Sequence, residues 1–282
     1  MNVKSHAKIN LSLKITGKRE NGYHDLEMIN LPLELHDTIE ISLLPPGSPD
    51  TFITCDDIRL NSMRANLCQK AIEAMRAKYR FKENFMIHIH KEIPFAAGLG
   101  GGSSNAAATM LAVRKMLKLK ATDEELEEIG LKLGADIPYF FLSKPAKVTG
   151  IGETIEPIKV KKKYFCLIVK PEKGLSTDSV YAICDRFQRY NIDTDKIIEG
   201  LAEGNDLLIE HHIGNDLMAP AESLLPEISE IYAILRKSGF GIACMSGSGS
   251  SVFALTADQK KAKELYHKLE KTNYTVILTS VL

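Results

Sequence analysis

Pro94-Phe95-Ala96-Ala97-Gly98-Leu99-Gly100-Gly101-Gly102-Ser103-Ser104-Asn105-Ala106-Ala107-Ala108 is the most informative stretch of this 282-residue chain. Four of its residues are glycines. Before them lies an alternating segment, Phe85 to Ile93, with Phe85, Ile87 and Ile89 apolar. After them Ser103 to Leu119 has helical spacing, with Ala107, Met110, Leu111 and Leu117 on one broad apolar face. The order is strand, glycine loop, buried helix. Glycine lets backbone N–H groups approach an anion, and a helix start adds unpaired N–H groups and roughly half a positive charge. Such a loop is a phosphate cradle; the other reading is a tight turn with a small-residue helix packed behind it. The entropy lost in ordering four glycines favours the cradle. The loop lacks the Lys-Ser/Thr end of a Walker A sequence, and Gly98-x-Gly100-x-x-Ser103 lacks the third glycine of a dinucleotide fingerprint.

Upstream of the loop, Ala7, Ile9, Leu11, Leu13 and Ile15 alternate with Lys8, Asn10, Ser12 and Lys14, which predicts a strand with one buried face. Lys8 and Asn10 share its polar face. The glycine loop contains no lysine, so charge neutralisation in a phosphoryl transfer must come from elsewhere, and Lys8 is a candidate. Taken alone it also reads as a surface lysine. Asn21-Gly22 signals a hairpin turn, Thr38 to Leu43 alternates again, Pro45 to Pro49 is a loop, and Asn66 to Tyr79 has helical spacing.

Downstream, Thr122-Asp123-Glu124-Glu125 is a capping box that opens a helix through Leu126, Ile129 and Leu133, with Gly134 placed as its C-terminal cap. Asp136 follows, in Gly134-Ala135-Asp136-Ile137-Pro138-Tyr139-Phe140-Phe141. A carboxylate there is either a helix cap or a functional group in a dry site. Ser143 to Lys163 is rich in turn residues and is the best boundary zone; its run Lys161-Lys162-Lys163 reads as a solvated turn.

The last part reads strand (164–169), helix (178–187), a helical middle, helix (226–238), strand (242–245), glycine turn, strand (251–255), helix (259–271) and strand (274–280). Alternation without a long repeat predicts an α+β fold of the split βαβ type. Asn205-Asp206-Leu207 recurs as Asn215-Asp216-Leu217, which is no repeat architecture. The second glycine loop, Met245 to Ser251, is either an ordinary hairpin or a wall of the phosphate site, and spacing does not decide between them. His88 and His90 share a strand face and could chelate a metal, but no carboxylate or cysteine accompanies them at ligand spacing, which favours a role other than ligation; His211-His212 has the same weakness.

Hydrophobic residues make up 44% of the chain and charged ones 26%, which excludes disorder as the main state. Thirty-six basic residues balance thirty-six acidic ones, which argues against a chain that coats nucleic acid or an anionic membrane. Cys55, Cys68, Cys166, Cys184 and Cys244 are widely spaced with no C-x-x-C among them, as expected in a reducing compartment. The longest apolar stretch, Tyr164 to Val169, is far below the ~18 residues of a membrane span. The expectation is a soluble cytoplasmic protein.

Together these segments resemble the GHMP kinase superfamily. Ala7-Lys8-Ile9-Asn10 resembles its first motif, Pro94 to Ala107 its second and Met245 to Phe253 its third. Asn21-Gly22-Tyr23-His24, Gly100-Gly101-Gly102-Ser103-Ser104, Gly134-Ala135-Asp136-Ile137-Pro138 and Gly150-Ile151-Gly152-Glu153 are similar to the branch that acts on a cytidine diphosphate substrate. The resemblance implies ATP-dependent phosphorylation, with Mg²⁺, of the C2 hydroxyl of 4-diphosphocytidyl-2-C-methyl-D-erythritol. It implies two subdomains with the site between: residues 1–160, like domain 2 of a ribosomal S5 protein, and residues 161–282, ferredoxin-like.

By the same resemblance Asp136 is the catalytic base and Lys8 its charged partner, and Pro94, Phe95, Ala96, Ala97, Gly98, Leu99, Gly100, Gly101, Gly102, Ser103 and Ser104 form the ATP phosphate loop. Tyr23, His24 and Tyr181 would hold the cytosine, with Thr177 nearby and Asn10 at the acceptor end. Asn105 departs from the family, which often has aspartate there, so no metal ligands are assigned. Two alternatives stay open. A kinase of the superfamily with a mevalonate- or homoserine-like acceptor would have no use for a base clamp. A nucleic-acid-binding module of S5-like fold fits poorly with zero net charge and with Asp136 in an apolar setting.

Overall fold

In the structure, a computed structural model describing residues 1–57 and 66–282, the chain opens on two long paired strands, β1 (Asn2–Lys18) and β2 (His24–Leu43), turned through Asn21 and Gly22. The alternation at Ala7–Ile15 and Thr38–Leu43 therefore marks only parts of strands 17 and 20 residues long. The remaining elements are β3 (Phe52–Cys55), α1 (Leu67–Tyr79), β4 (Phe85–His90), α2 (Gly101–Leu117), α3 (Asp123–Leu133), α4 (Tyr139–Leu142), β5 (Ala146–Gly150), β6 (Thr154–Pro157) and β7 (Phe165–Lys170). They continue with α5 (Thr177–Cys184), α6 (Thr194–Glu203), α7 (Asp206–His212), α8 (Met218–Leu224), α9 (Glu227–Lys237), β8 (Ile242–Met245), β9 (Val252–Thr256), α10 (Gln259–Leu269) and β10 (Thr275–Ser280).

Two compact units result. One comprises Met1–Ala7, Leu35–Pro94 and Gly100–Ser143; the other comprises Lys8–Glu34, Phe95–Leu99 and Lys144–Leu282. Both are discontinuous in sequence, so they partition the chain differently from a single boundary at 160/161.

In the first unit β2 runs antiparallel to β4, with Ile39 opposite Ile89 and Ile41 opposite Ile87, and β3 lies parallel on the other edge of β4. Ile39, Ile41, Phe85, Ile87 and Ile89 fill the buried face, while Glu40, Thr54, His88 and His90 alternate onto the other. Helix α1 packs on α2 and α3, and Ala71, Ile72 and Met75 of α1 and Met110 and Val113 of α2 are buried. The capping box at α3 is complete, since Thr122 and Glu125 each accept the other's backbone N–H. Gly134 does end α3, but at φ 179° it is extended and not a left-handed cap.

In the second unit the first half of β2 pairs antiparallel with β5, and β5 turns into β6. The turn-rich zone from Ser143 to Lys163 thus holds a β-hairpin, short enough that its strands carry no visible period. Strands β7 to β10 form a separate antiparallel sheet in the order β10-β7-β9-β8. Helix α9 packs on β7, β8 and β9, and α10 on β7, β9 and β10. This is the ferredoxin-like split βαβ arrangement expected from the sequence. Among the described residues no helix is long and apolar enough to cross a membrane.

Candidate active site

The glycine loop ends in the N-cap of α2, Gly100, at φ 70°. Gly100 has no side chain with which to cap this helix, and the first turn holds no acidic residue, so its own residues supply no anion to its N–H groups. Gly98 is also left-handed, at φ 72°, and a Cβ there would collide with the Ser246 carbonyl. Ala96, at φ 50°, occupies a conformation that L residues seldom adopt.

Gly101 makes a different demand. A Cβ there would lie 3.0 Å from Ile93 Cγ2 and 3.3 Å from Lys91 Nζ. Gly101→Val is therefore expected to displace the start of α2 and to destabilise the protein by about 1–3 kcal/mol, the scale of overpacking. Gly101→Ala, which adds the Cβ alone, should cost less, and urea unfolding of both variants checks this.

The second unit joins the three motif regions through hydrogen bonds. Lys8, Asn10 and Ser12 are all buried, so the polar face of β1 is an interior face and not the solvated one expected from alternation. Lys8 N–H donates to the Leu99 carbonyl at 3.0 Å and Lys8 Nζ to Asn10 Oδ1 at 2.6 Å. Asn10 Nδ2 donates to Asn30 Oδ1 at 2.7 Å, and Asn10 N–H to Ser246 Oγ at 3.2 Å. Ser246 Oγ in turn donates to the Gly98 carbonyl at 2.8 Å. The hairpin of the second glycine loop therefore faces Gly98 of the first.

Asn215 holds that hairpin, with Nδ2 donating to the carbonyls of Met245 and Gly247, both at 2.8 Å. Its neighbour Asp216 accepts the backbone N–H groups of Ile15 and Tyr190. The sequence flagged this pair only as half of a repeated tripeptide. The other half, Asn205, is a helix cap that accepts Leu208 N–H. Asn30 gave no signal of its own, and Ser246 was marked only as part of the second glycine loop.

In the first unit Asp136 sits half-buried in the turn between α3 and α4. Burial, and then the Asp136 charge, pushes the neighbouring Tyr139 phenol well above its ordinary pKa. Tyr139 is 1% exposed, and its hydroxyl meets no hydrogen-bond partner among the described residues. Ser5 Oγ lies 2.8 Å from Ser104 Oγ and 2.6 Å from Asn105 Oδ1, so Asn105 is a buried acceptor for a hydroxyl. A residue missed in the sequence anchors the strand end before the loop. Asp37, fully buried, accepts Glu92 N–H at 2.9 Å and Ile93 N–H at 2.8 Å on one oxygen and Lys91 Nζ at 2.5 Å on the other.

The residues expected around a cytosine lie in the second unit. The His24 and Tyr181 rings stand 5.5 Å apart at 31°, and Tyr23 beside them is 60% exposed. Thr177 Oγ1 lies 2.9 Å from Ser248 Oγ. His24 Nε2 lies 2.9 Å from Asp185 Oδ1, a partner the sequence did not suggest. Hydrogen bonds from Lys18 and His24 hold the Asp185 carboxyl far below the usual carboxylate range.

The pattern described as GHMP kinases N terminal domain matches residues 66–144, and that described as GHMP kinases C terminal matches residues 197–275. The chain belongs to the GHMP kinase family and is a small-molecule kinase. Within it the chain groups with the 4-diphosphocytidyl-2-C-methyl-D-erythritol kinases. It is 35% identical to that of Thermoanaerobacter pseudethanolicus, over 99% of this chain and 96% of the relative. It is 34% identical to one from Clostridium botulinum over the full length of both. The crystal structure of a 4-(cytidine 5'-diphospho)-2C-methyl-D-erythritol kinase superposes with a TM-score of 0.81 at 28% identity, covering both chains completely. A homoserine kinase from Cytophaga hutchinsonii, at 16% identity and a TM-score of 0.75 over 100% of this chain and 94% of that one, shares the fold.

Proposed function

We propose that the chain transfers the γ-phosphoryl group of ATP to the C2 hydroxyl of 4-diphosphocytidyl-2-C-methyl-D-erythritol, giving the 2-phosphate and ADP, in the non-mevalonate route to isoprenoid precursors. The observation that carries this reading is the full-length identity, 35%, to kinases of that name. The aromatic pair His24–Tyr181 supports it, because a cytosine needs a ring to stack on and an edge to read.

In this reading the loop from Pro94 to Ser104 holds the ATP phosphates through the backbone N–H groups of Phe95 to Ser104, Pro94 having none. The uncapped start of α2 fits that task. Bound Mg²⁺ supplies charge neutralisation on the phosphates. Asp136 accepts the proton of the C2 hydroxyl. The Lys8 ammonium, fixed on Asn10, stabilises charge that develops in the transfer. Asn10 places the acceptor end, Tyr23 and Tyr181 stack on the cytosine, His24 reads its edge, and Thr177 lines the same side. Residues 1–160 form the ATP-binding and catalytic subdomain and 161–282 the second. The compartment is the cytoplasm, a reading supported by five cysteines that are all free thiols. The partners are the two small molecules, with no nucleic acid and no membrane.

A coupled ADP-release assay that sets the cytidine substrate against mevalonate and homoserine tests the reading. Turnover with the cytidine substrate alone is the expected result, and preference for either other acceptor overturns it. Tyr23→Ala and Tyr181→Ala are expected to raise the KM for the cytidine substrate about 5- to 150-fold, from about 1–3 kcal/mol of stacking per ring. The KM for ATP should stay put. Tyr23 is exposed, so its truncation should leave Tm unchanged, which separates a base clamp from lost packing.

A further inference from the structure

Strand β4 presents His88 and His90 on its solvated face, two residues apart and therefore side by side. The neighbouring strands bring carboxylates to them. Asp56, just past the end of β3, puts Oδ1 2.9 Å from His88 Nε2 and Oδ2 3.3 Å from His90 Nδ1. On the other side, Glu40 of β2 pairs in register with His88 and puts Oε1 3.2 Å from His90 Nε2. The two imidazoles meet edge to face, with centroids 4.5 Å apart. We propose that His88, His90 and Asp56 form a binding site for a divalent first-row transition ion, with Zn²⁺ as its occupant.

The outer atoms are arranged as such a site requires. Thr54 Oγ1 lies 2.8 Å from His88 Nδ1 and within 3.4 Å of the Ile87 carbonyl. When its hydroxyl donates to that carbonyl, it accepts the Nδ1 proton and leaves the Nε2 lone pair toward Asp56. Glu40 does the same for His90, accepting from Nε2 and leaving the Nδ1 lone pair toward the other oxygen of Asp56. Metal-bound histidines regularly donate their second ring nitrogen to such acceptors. Two lone pairs then face the two oxygens of one carboxylate. Ligands about 2.1 Å from a tetrahedral ion lie about 3.4 Å from one another. The three ligand atoms here fall within 4.8 Å, so side-chain adjustment alone closes the set. Two imidazoles and one carboxylate suit zinc, nickel or cobalt and not Mg²⁺, which sets this site apart from the metal of the phosphoryl transfer.

The test is calorimetric titration of the metal-free full chain with Zn²⁺, paired with visible absorption on adding Co²⁺. One Zn²⁺ per chain is expected, together with a Co²⁺ band of low coordination number. His88→Ala/His90→Ala should weaken Zn²⁺ binding by about 100-fold or more and abolish the band, and Glu40→Gln should weaken it about tenfold. All these side chains are partly exposed, and circular dichroism confirms that the variants keep their fold. Among the described residues the competing cluster is His24, Cys184 and Asp185, whose acid already carries Lys18 and Arg189. Equal Zn²⁺ affinity in wild type and the double histidine variant overturns the proposal, as does binding lost in Cys184→Ser instead.

Discussion

Asp136→Asn is expected to fold normally and to lose about 100-fold or more in kcat, the scale on which a general base contributes. The substitution keeps the size of the side chain and removes only its capacity to take a proton. The Tyr139 phenol, which feels the Asp136 charge, stays neutral because burial and that charge both oppose its ionisation. With Asn at 136 the charge contribution disappears, but burial still holds the phenol protonated. The loss should fall on kcat, with the KM for both substrates close to wild type, since proton acceptance belongs to the transfer and not to binding. Near-normal kcat in a variant of unchanged Tm would remove Asp136 from the reaction.

Asp37→Ala is expected to destabilise the protein by about 3–5 kcal/mol, the range for removing one partner of a buried ion pair. Three donors lose their acceptor at once. The Lys91 ammonium, on a side chain 9% exposed, is left without the carboxylate 2.5 Å away, and the N–H groups of Glu92 and Ile93 are left unpaired in the interior. Asp37→Leu/Lys91→Met should recover part of the loss, because a buried pair exchanged for apolar side chains removes the uncompensated charge. Urea unfolding of the single and double variants measures both. A loss below about 1 kcal/mol would mean that Lys91 turns out to solvent without cost. The residues that Asp37 fixes lead directly into Pro94, so ATP affinity is expected to fall along with stability in the single variant.

Most of the fold was legible because its signals are local. The glycine loop between an alternating segment and an apolar helix, the Thr122–Glu125 capping box and the βαββαβ order of the C-terminal part each depend on residues a few positions apart. The same holds for the loop, for Asp136 past a helix end and for Tyr23-His24 after a turn. These stretches match a family whose residues keep that spacing. The sequence was weaker where strands exceed the window of alternation. Residues 24–37 continue β2 without a clean period, because Met28, Ile29, Asn30 and Leu31 are buried on both faces.

What the tertiary structure alone decided is every partnership between residues far apart in the chain. A period-2 pattern states that Lys8 and Asn10 share a face, but not that the face is buried against Asn30 and Ser246. Asn205 and Asn215 carry the same tripeptide. One caps a helix and the other holds a glycine hairpin by two carbonyls, a difference made by burial. His88 and His90 lack a carboxylate nearby in sequence, yet strand pairing brings Asp56 and Glu40 to their ring nitrogens. Asp185 reaches His24 from 161 residues away. Hydrophobic patterning records which side of an element faces the core, since that is a property of the element itself. Hydrogen-bond and charge partners depend on which elements become neighbours, and register and packing fix that only when the chain folds.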